Sequence, residues 1–311
     1  MKCRRCRDMG KTKKAVIFLP HHNLSFCRDC FILWYEKQIG RTIKKMRMFT
    51  RKDKIMVAVS GGKDSLALWF ALERLGYATD GMYINLGIEE RNYSRISYEK
   101  AKKLSERIKR PLHVVDIKDI FEEKGIPELN KLTRQPPCSI CGLIKRYYTN
   151  KVALDKGYDC VATGHNLDDE VATLLLNTLS WDVDSLSRQA PVLPEKQGFA
   201  RRVKPLVGMT EKENLLYCIL MEIDYAKEEC PLSTGVSTIF YKQVFNKIEQ
   251  KSPGTKLRFY FNFQKNIYPL LSPIKIPHLS PCSLCGQPTT TSDKICALCR
   301  FKEKVKNLTK N

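Results

Sequence analysis

The 311-residue chain has no apolar run long enough to span a bilayer. Its first thirty residues alternate cysteines with basic residues, so the apolar centre of a secretory signal is missing too. A cytoplasmic enzyme is expected on those grounds. Acidic residues are scarce: Asp plus Glu number 33 against 54 Lys plus Arg, a net charge of +21. A polyanionic partner follows, because every phosphate contact releases counterions. Without a spanning run, that partner is expected to be nucleic acid and not a membrane. No long internal repeat is present, and the Walker spacing G-x4-G-K-[ST] is absent. Hydrophobic residues are not lacking: at 43% they exclude a disordered chain.

Cysteine is abundant. There are thirteen, ten of them in five Cys-x-x-Cys pairs. In a long chain without a secretory signal, paired thiols point to metal before disulfides. Cys3 and Cys6 are followed after twenty residues by Cys27 and Cys30. Cys282 and Cys285 are followed after ten by Cys296 and Cys299. Each set offers four thiolates, which close a tetrahedral zinc site and leave no open position for catalysis. His21 and His22 lie near the first set, where a surface or phosphate-facing role is expected. Arg4, Arg5, Arg7, Lys11 and Arg300 decorate the two modules. They read as solvated charge or as clamps on a folded RNA.

Between the modules, strand and helix signals alternate. Lys54 to Val59 reads as a buried strand, followed by Ser60-Gly61-Gly62-Lys63-Asp64-Ser65 and an apolar helix ending at Gly76. Further strands are expected near 80–86, 112–117 and 159–163, with helices near 94–108, 140–156 and 167–179. Residues 211–250 look mainly helical. This alternation predicts an α/β fold with a doubly wound, Rossmann-like parallel sheet, flanked by N- and C-terminal zinc-finger modules. The expected division is a first four-cysteine zinc finger at 1–35, a basic linker helix at 36–50 and a catalytic domain at 51–225. A helical extension at 226–275 and a second four-cysteine zinc finger at 276–311, opening on a Pro-rich linker, complete it.

The loop from Ser60 to Ser65 is suited to phosphate. Gly61 and Gly62 let backbone N–H groups approach an anion, and the helix N-terminus adds donors and a positive dipole end. Lys63 adds a mobile cation, and Ser60 and Ser65 add hydroxyls. Asp64 would be repelled by bare phosphate, so magnesium is its expected partner. The run Val-Ser-Gly-Gly-Lys-Asp-Ser resembles the PP-loop of the ATP pyrophosphatases. The resemblance extends over nearly the whole chain and tightens to the transfer RNA 2-thiolation enzymes, first to those acting on a T-loop uridine and next to those acting on the wobble uridine. It is carried by Pro136-Pro137-Cys138-Ser139-Ile140-Cys141-Gly142-Leu143-Ile144-Lys145-Arg146-Tyr147, by Thr163-Gly164-His165-Asn166-Leu167-Asp168-Asp169-Glu170, by Glu229-Cys230-Pro231 and by Ser252-Pro253-Gly254-Thr255-Lys256.

Cys138, Cys141 and Cys230 cannot form a closed four-thiolate site. An odd number of thiols suits a cluster with one open iron, but also a redox pair or a persulfide carrier. The resemblance implies a [4Fe–4S] cluster. It also implies ATP bound at Ser60 to Ser65 with Gly164 and His165, magnesium, and catalytic roles for Lys145 and Asp169. Without it, Lys145 reads as a solvated lysine and Asp168 and Asp169 as helix-dipole acids. Cys160 and Cys218 read as buried packing. The implied activity is adenylation of a tRNA uridine oxygen followed by its replacement with sulfur. A ubiquitin-like sulfur carrier and a homodimer are implied as well. Competing readings are an amide-forming ATP pyrophosphatase, which leaves the three cysteines unexplained, and a non-catalytic RNA-binding zinc protein, which leaves the Ser60 loop unexplained.

Overall fold

Two Cys-x-x-Cys knuckles need only short elements to face each other, and the N-terminal module is built that way. The computed structural model describes residues 1–233, 237–271 and 279–310. The first knuckle opens a helical turn, α1 (Arg4–Asp8). A hairpin of β1 (Ile17–Leu19) and β2 (Leu24–Phe26) follows, bent at Pro20–His22, and delivers the second knuckle. That knuckle runs directly into α2 (Arg28–Lys45). Phe31, Tyr35, Ile39 and Ile43 recur every fourth residue and are buried, so one stripe joins the module to the main core. The linker helix expected from residue 36 is thus the second half of a helix that begins at Arg28.

The central sheet forms where apolar strands are separated by helices. Its elements are β3 (Ile55–Ala58), α3 (Lys63–Arg74), β4 (Thr79–Asn85), α4 (Tyr93–Ile108), β5 (Leu112–Asp116), α5 (Ile126–Thr133), α6 (Pro137–Asp155), β6 (Cys160–Thr163), α7 (Leu167–Leu179), α8 (Val183–Leu186), β7 (Val192–Leu193) and β8 (Arg201–Val203). The strand order is β5-β4-β3-β6-β8-β7, parallel except for β7. From β3 the chain moves outward through β4 and β5, then returns through β6 to the other side of β3. In such a sheet the loops leaving the two strands at the reversal splay apart and open a crevice at their carboxyl ends. Here those are the loops after Ala58 and Thr163, which are register partners.

The rest is α9 (Glu211–Leu220), α10 (Ser237–Lys251), α11 (Thr255–Asn262), α12 (Tyr268–Leu271), β9 (Ser280–Pro281), β10 (Pro288–Thr289) and α13 (Ala297–Lys310). A π-turn, Phe263–Ile267, joins α11 to α12. Helices α10 and α11 pack on α7, and α13 on α5 and α6. Strands β7 and β8 and helix α5 were not expected from the sequence. Two- and three-residue strands are too short to show a period, and β8 contains Arg201 and Arg202 in place of an apolar run. Residues 221–233, expected within a helical stretch, contain no helix. Most of the Pro-rich linker expected after residue 275 lies outside the described residues.

Candidate functional site

The crevice is lined by the phosphate loop. Gly61 has φ +78°, and a Cβ there would lie 2.2 Å from the Ser97 carbonyl oxygen, so only glycine fits. Gly164 of the second motif makes a similarly close approach: a Cβ there would stand 2.8 Å from the Ser65 amide nitrogen. The Ser65 hydroxyl donates to the Gly62 carbonyl at 3.0 Å and accepts from the Ser60 amide at 3.1 Å. These two bonds fold the loop on itself.

Asp64 holds this loop to its surroundings. Its carboxylate accepts from Lys63 Nζ at 3.0 Å, Asn166 Nδ2 at 3.1 Å and Asn214 Nδ2 at 2.7 Å. Burial pushes its carboxyl above the usual range, in spite of Lys63 and Asn214. Asn166 caps α7, accepting from the Asp168 and Asp169 amides. The two aspartates then diverge. Asp168 is buried and pairs with Lys256 Nζ, while its other oxygen accepts from the Glu211 amide at 2.8 Å. Asp169 faces the cavity and pairs with Lys242 Nζ at 2.6 Å. Burial raises its carboxyl, but Lys242 and the Asn166 amide outweigh that and hold it below the ordinary range. His165 bonds to the Thr163 hydroxyl through Nδ1 at 2.8 Å, and desolvation by its neighbours lowers its pKa.

One cavity of about 450 Å³ collects most of the sequence-expected site: Ser60, Asp64, Ser65, Gly164, His165, Asp169 and Lys145 all line it. Gly61, Gly62 and Lys63 belong to the loop behind its rim. Arg146 and Arg202 also line it and, among the described residues, neither makes an ion pair. The Arg202 guanidinium donates to the Arg146 carbonyl at 3.0 Å. Burial and the neighbouring Arg146 charge lower its pKa. An anion in the cavity would relieve that repulsion. Arg202, Lys242 and Asn214 were missed in the sequence. Arg202 sits on a strand with no readable pattern, and the other two come from distant helices.

The three remaining thiols sit beside this cavity. Cys138 is exposed in the first turn of α6, and Cys141 and Cys230 are half-buried. Burial pushes the Cys141 thiol up to about 11, opposed by Lys145 and reinforced by Cys230 and Cys138. Tyr93, which lines the cavity, is raised to about 12 by burial and by the charges of Cys230 and Cys141. The three sulfurs do not all lie within 4.8 Å of one another, unlike those of each four-cysteine set. The three thiols still act on one another electrostatically, so they stand around one place and could together hold a group bound by three thiolates. Cys160 and Cys218 are fully buried away from it, as packing residues.

The end modules fit single ions. Cys6 Sγ lies 3.6 Å from Cys30 and 3.9 Å from Cys27, and Cys285 Sγ lies 3.7 Å from Cys296. A tetrahedron with zinc–sulfur bonds of about 2.3 Å has edges of about 3.8 Å. Burial raises the Cys282 thiol, but backbone N–H groups of Cys296, Leu284 and Cys285 bring it down to about 6, so the knuckle itself favours thiolate. His21 and His22 take no part in the four-sulfur set; they face Glu213, with His21 Nε2 2.9 Å from its carboxylate.

Known proteins share these features. Residues 2–32 match the family model described as 2-thiouridine synthetase TtuA, N-terminal LIM domain, and residues 35–234 match the PP-loop domain. The chain is 44% identical over 300 residues to the tRNA-5-methyluridine(54) 2-sulfurtransferase of Thermus thermophilus, covering 96% of this chain and 91% of that one. To the protein of the same description from Pyrococcus horikoshii it is 41% identical, with 97% and 93% covered. Among solved structures it is similar to the U34-tRNA thiolase NcsA from Methanococcus maripaludis with its [4Fe-4S] cluster: TM-score 0.81, 27% identity, 97% and 96% covered.

The Lys242 pair stabilises ionised Asp169, so its contribution is full above the unfolded carboxylate value and is lost as pH falls through the lower folded value. Urea midpoints of wild type and Lys242→Met should therefore differ by a constant amount above about pH 4 and converge below it. A gap that does not change with pH would show that Lys242 acts by packing alone. For the end modules, Cys3→Ser and Cys296→Ser should each lose one zinc per chain by mass-spectrometric metal analysis and unfold at lower temperature. Full zinc content in both would remove the assignment.

Proposed function

Because the chain belongs to the PP-loop tRNA 2-sulfurtransferases, we propose that it adenylates the C2 oxygen of a tRNA uridine, at position 54, and exchanges that oxygen for sulfur. The observation that carries this reading is the shared cavity. Its one wall is the phosphate loop, and its other wall holds Lys145 and Tyr93 beside the three thiols. Position 54 is favoured by the relatives at 44% and 41% identity. Wobble-uridine thiolation is the second reading, supported by the similarity to NcsA.

Uracil O2 is a poor leaving group. Its attack on the ATP α-phosphorus forms an adenylated base and releases pyrophosphate; AMP then leaves readily when sulfur attacks C2. Lys63, the loop amides, Arg146 and Arg202 stabilise charge that develops on the phosphates. Asp64 is the carboxylate that would hold magnesium. Asp169, kept ionised by Lys242, accepts the hydrogen bond of uracil N3–H as O2 becomes nucleophilic. Lys145 brings a cation to the side of the cavity where sulfur arrives. Cys138, Cys141 and Cys230 would hold a [4Fe–4S] cluster, whose chemistry is to deliver sulfur close to the activated carbon. The two four-cysteine sets would hold structural zinc.

The reading extends to the domain division at 1–35, 36–50, 51–225, 226–275 and 276–311. It also includes a homodimer, a ubiquitin-like protein as sulfur donor and action in the cytoplasm. Among the described residues, no helix is long and apolar enough to cross a membrane.

Lys63→Ala should reduce pyrophosphate release on tRNA and ATP by at least about a hundredfold, as loss of a major phosphate-stabilising group does, with tRNA still bound. Cys138→Ala, Cys141→Ala and Cys230→Ala should each lose iron and thiolated nucleoside while retaining more of the pyrophosphate release. Cys160→Ala and Cys218→Ala should keep both. Nucleoside mass spectrometry after anaerobic reaction reads the product. Full thiolation by iron-free protein would replace the cluster with a persulfide on one of these cysteines.

A further inference from the structure

A second cavity, of about 740 Å³, lies at the end of α2. It shares no lining residue with the ATP cavity. Arg41, Lys44, Lys45 and Arg47 line it, and no acidic residue does. All four are exposed. Its floor includes Phe261, whose ring lies 6.0 Å from Lys45 Nζ.

Lys63, Lys242 and Lys256 each face a carboxylate. Arg41, Lys44 and Arg47 make no ion pair or hydrogen bond through their side chains among the described residues. Arg41, Lys44 and Lys45 stand three and four residues apart, so one helix face presents all three. The helix dipole favours cations in this last turn, which accounts for Lys44 and Lys45. It does not account for Arg41, a turn earlier, or for Arg47. Arg47 has φ +50°, at the position after the helix where glycine is usual. A side chain kept in that conformation costs stability and places a guanidinium at the cavity rim.

We infer that this cavity docks the sugar–phosphate backbone of the RNA substrate, separately from the base that reacts. Four unpaired or loosely engaged cations around an open concavity match a polyanion, and Phe261 offers a flat face for a ribose or an unstacked base. Backbone contacts of this kind position a nucleic acid without reading its sequence. The inference rests on the thiolation reading only for the identity of that RNA as tRNA.

The test is filter binding of unmodified tRNA, and of an unrelated RNA hairpin, across a series of salt concentrations. Arg41→Ala/Lys44→Ala/Arg47→Ala should weaken both RNAs by at least about tenfold and flatten the slope of log affinity against log salt by about 2 to 3. ATP binding should be unchanged. Lys102→Ala/Lys109→Ala/Lys131→Ala removes the same charge elsewhere and should leave the slope near wild type. Arg47→Gly should raise the thermal midpoint while weakening RNA binding, since glycine suits the backbone and loses the cation. A wild-type slope in the first triple variant, or an equal loss in the second, overturns the docking site. If the slopes behave as expected but wild type thiolates no RNA, the reading of the previous subsection fails and this one stands.

Discussion

The half-buried carboxylate of Asp64 is the point on which the rest of the site depends. It is partly shielded from water, which pushes its pKa up. It is tolerated because Lys63, Asn166 and Asn214 all donate to it. Hydrogen bonds to a charged group contribute about 1.5–3 kcal/mol each, and removing one leaves a desolvation cost behind. These three come from different parts of the chain: the phosphate loop, the cap of α7 and the body of α9. Asn214 also accepts from the Tyr35 hydroxyl of α2 at 2.8 Å, and Tyr35 stacks on Tyr217 at 4.2 Å. The N-terminal four-cysteine module, whose second knuckle starts α2, is thereby tied to the phosphate loop through one chain of buried contacts. A module that looks like a detachable end piece in the sequence takes part in fixing the loop at Asp64.

The same constraint sorts the charges. On the loop side, cations and acids are interlocked: Lys63 faces Asp64 and Glu211, and Lys242 faces Asp169 and Glu211. On the α6 and β8 side, Lys145, Arg146 and Arg202 line the cavity and, among the described residues, make no ion pair. Charge that develops between the two walls meets preorganised dipoles and cations on both, so little reorganisation is needed when it appears. The thiols lie beyond this positive wall, where Lys145 opposes the burial that would keep Cys141 protonated.

Legibility in the sequence followed local signals. The Ser60 loop was readable because a buried strand, two glycines and an apolar helix are contiguous. The four-thiol sets were readable because Cys-x-x-Cys spacing is itself the geometry of a knuckle. The alternation of β3 to β6 with their helices predicted the sheet, and the resemblance pointed to Cys230. Asn214 and Lys242 were not readable. Their roles arise when α9 and α10 fold back over the site, and no spacing encodes that return. Lys256 was noted within a motif, but its burial against Asp168 was not foreseen; a lysine in sequence reads as surface. Arg202 was hidden in a three-residue strand whose neighbours on the sheet, not its own pattern, make it a strand.

Where a cation is paired says what it is for. The cavity beside the phosphate loop is a poor source of affinity for a large polyanion, because Lys63 and Lys242 are committed to carboxylates and Arg146 and Arg202 line a space of only about 450 Å³. Affinity has to come from cations with no competing partner. With a net charge of +21 those are plentiful, but a scattered excess attracts without orienting. The end of α2 is different: its cations make no ion pair among the described residues, line one concavity and stand on or just after a helix that also carries Tyr35 to Asn214 and so to Asp64. Binding energy gained from remote, non-reacting parts of a substrate is useful when it positions the reacting part. A docking face on the same rigid helix that braces the phosphate loop meets that requirement, because holding the RNA and aligning the base against ATP then use one continuous body.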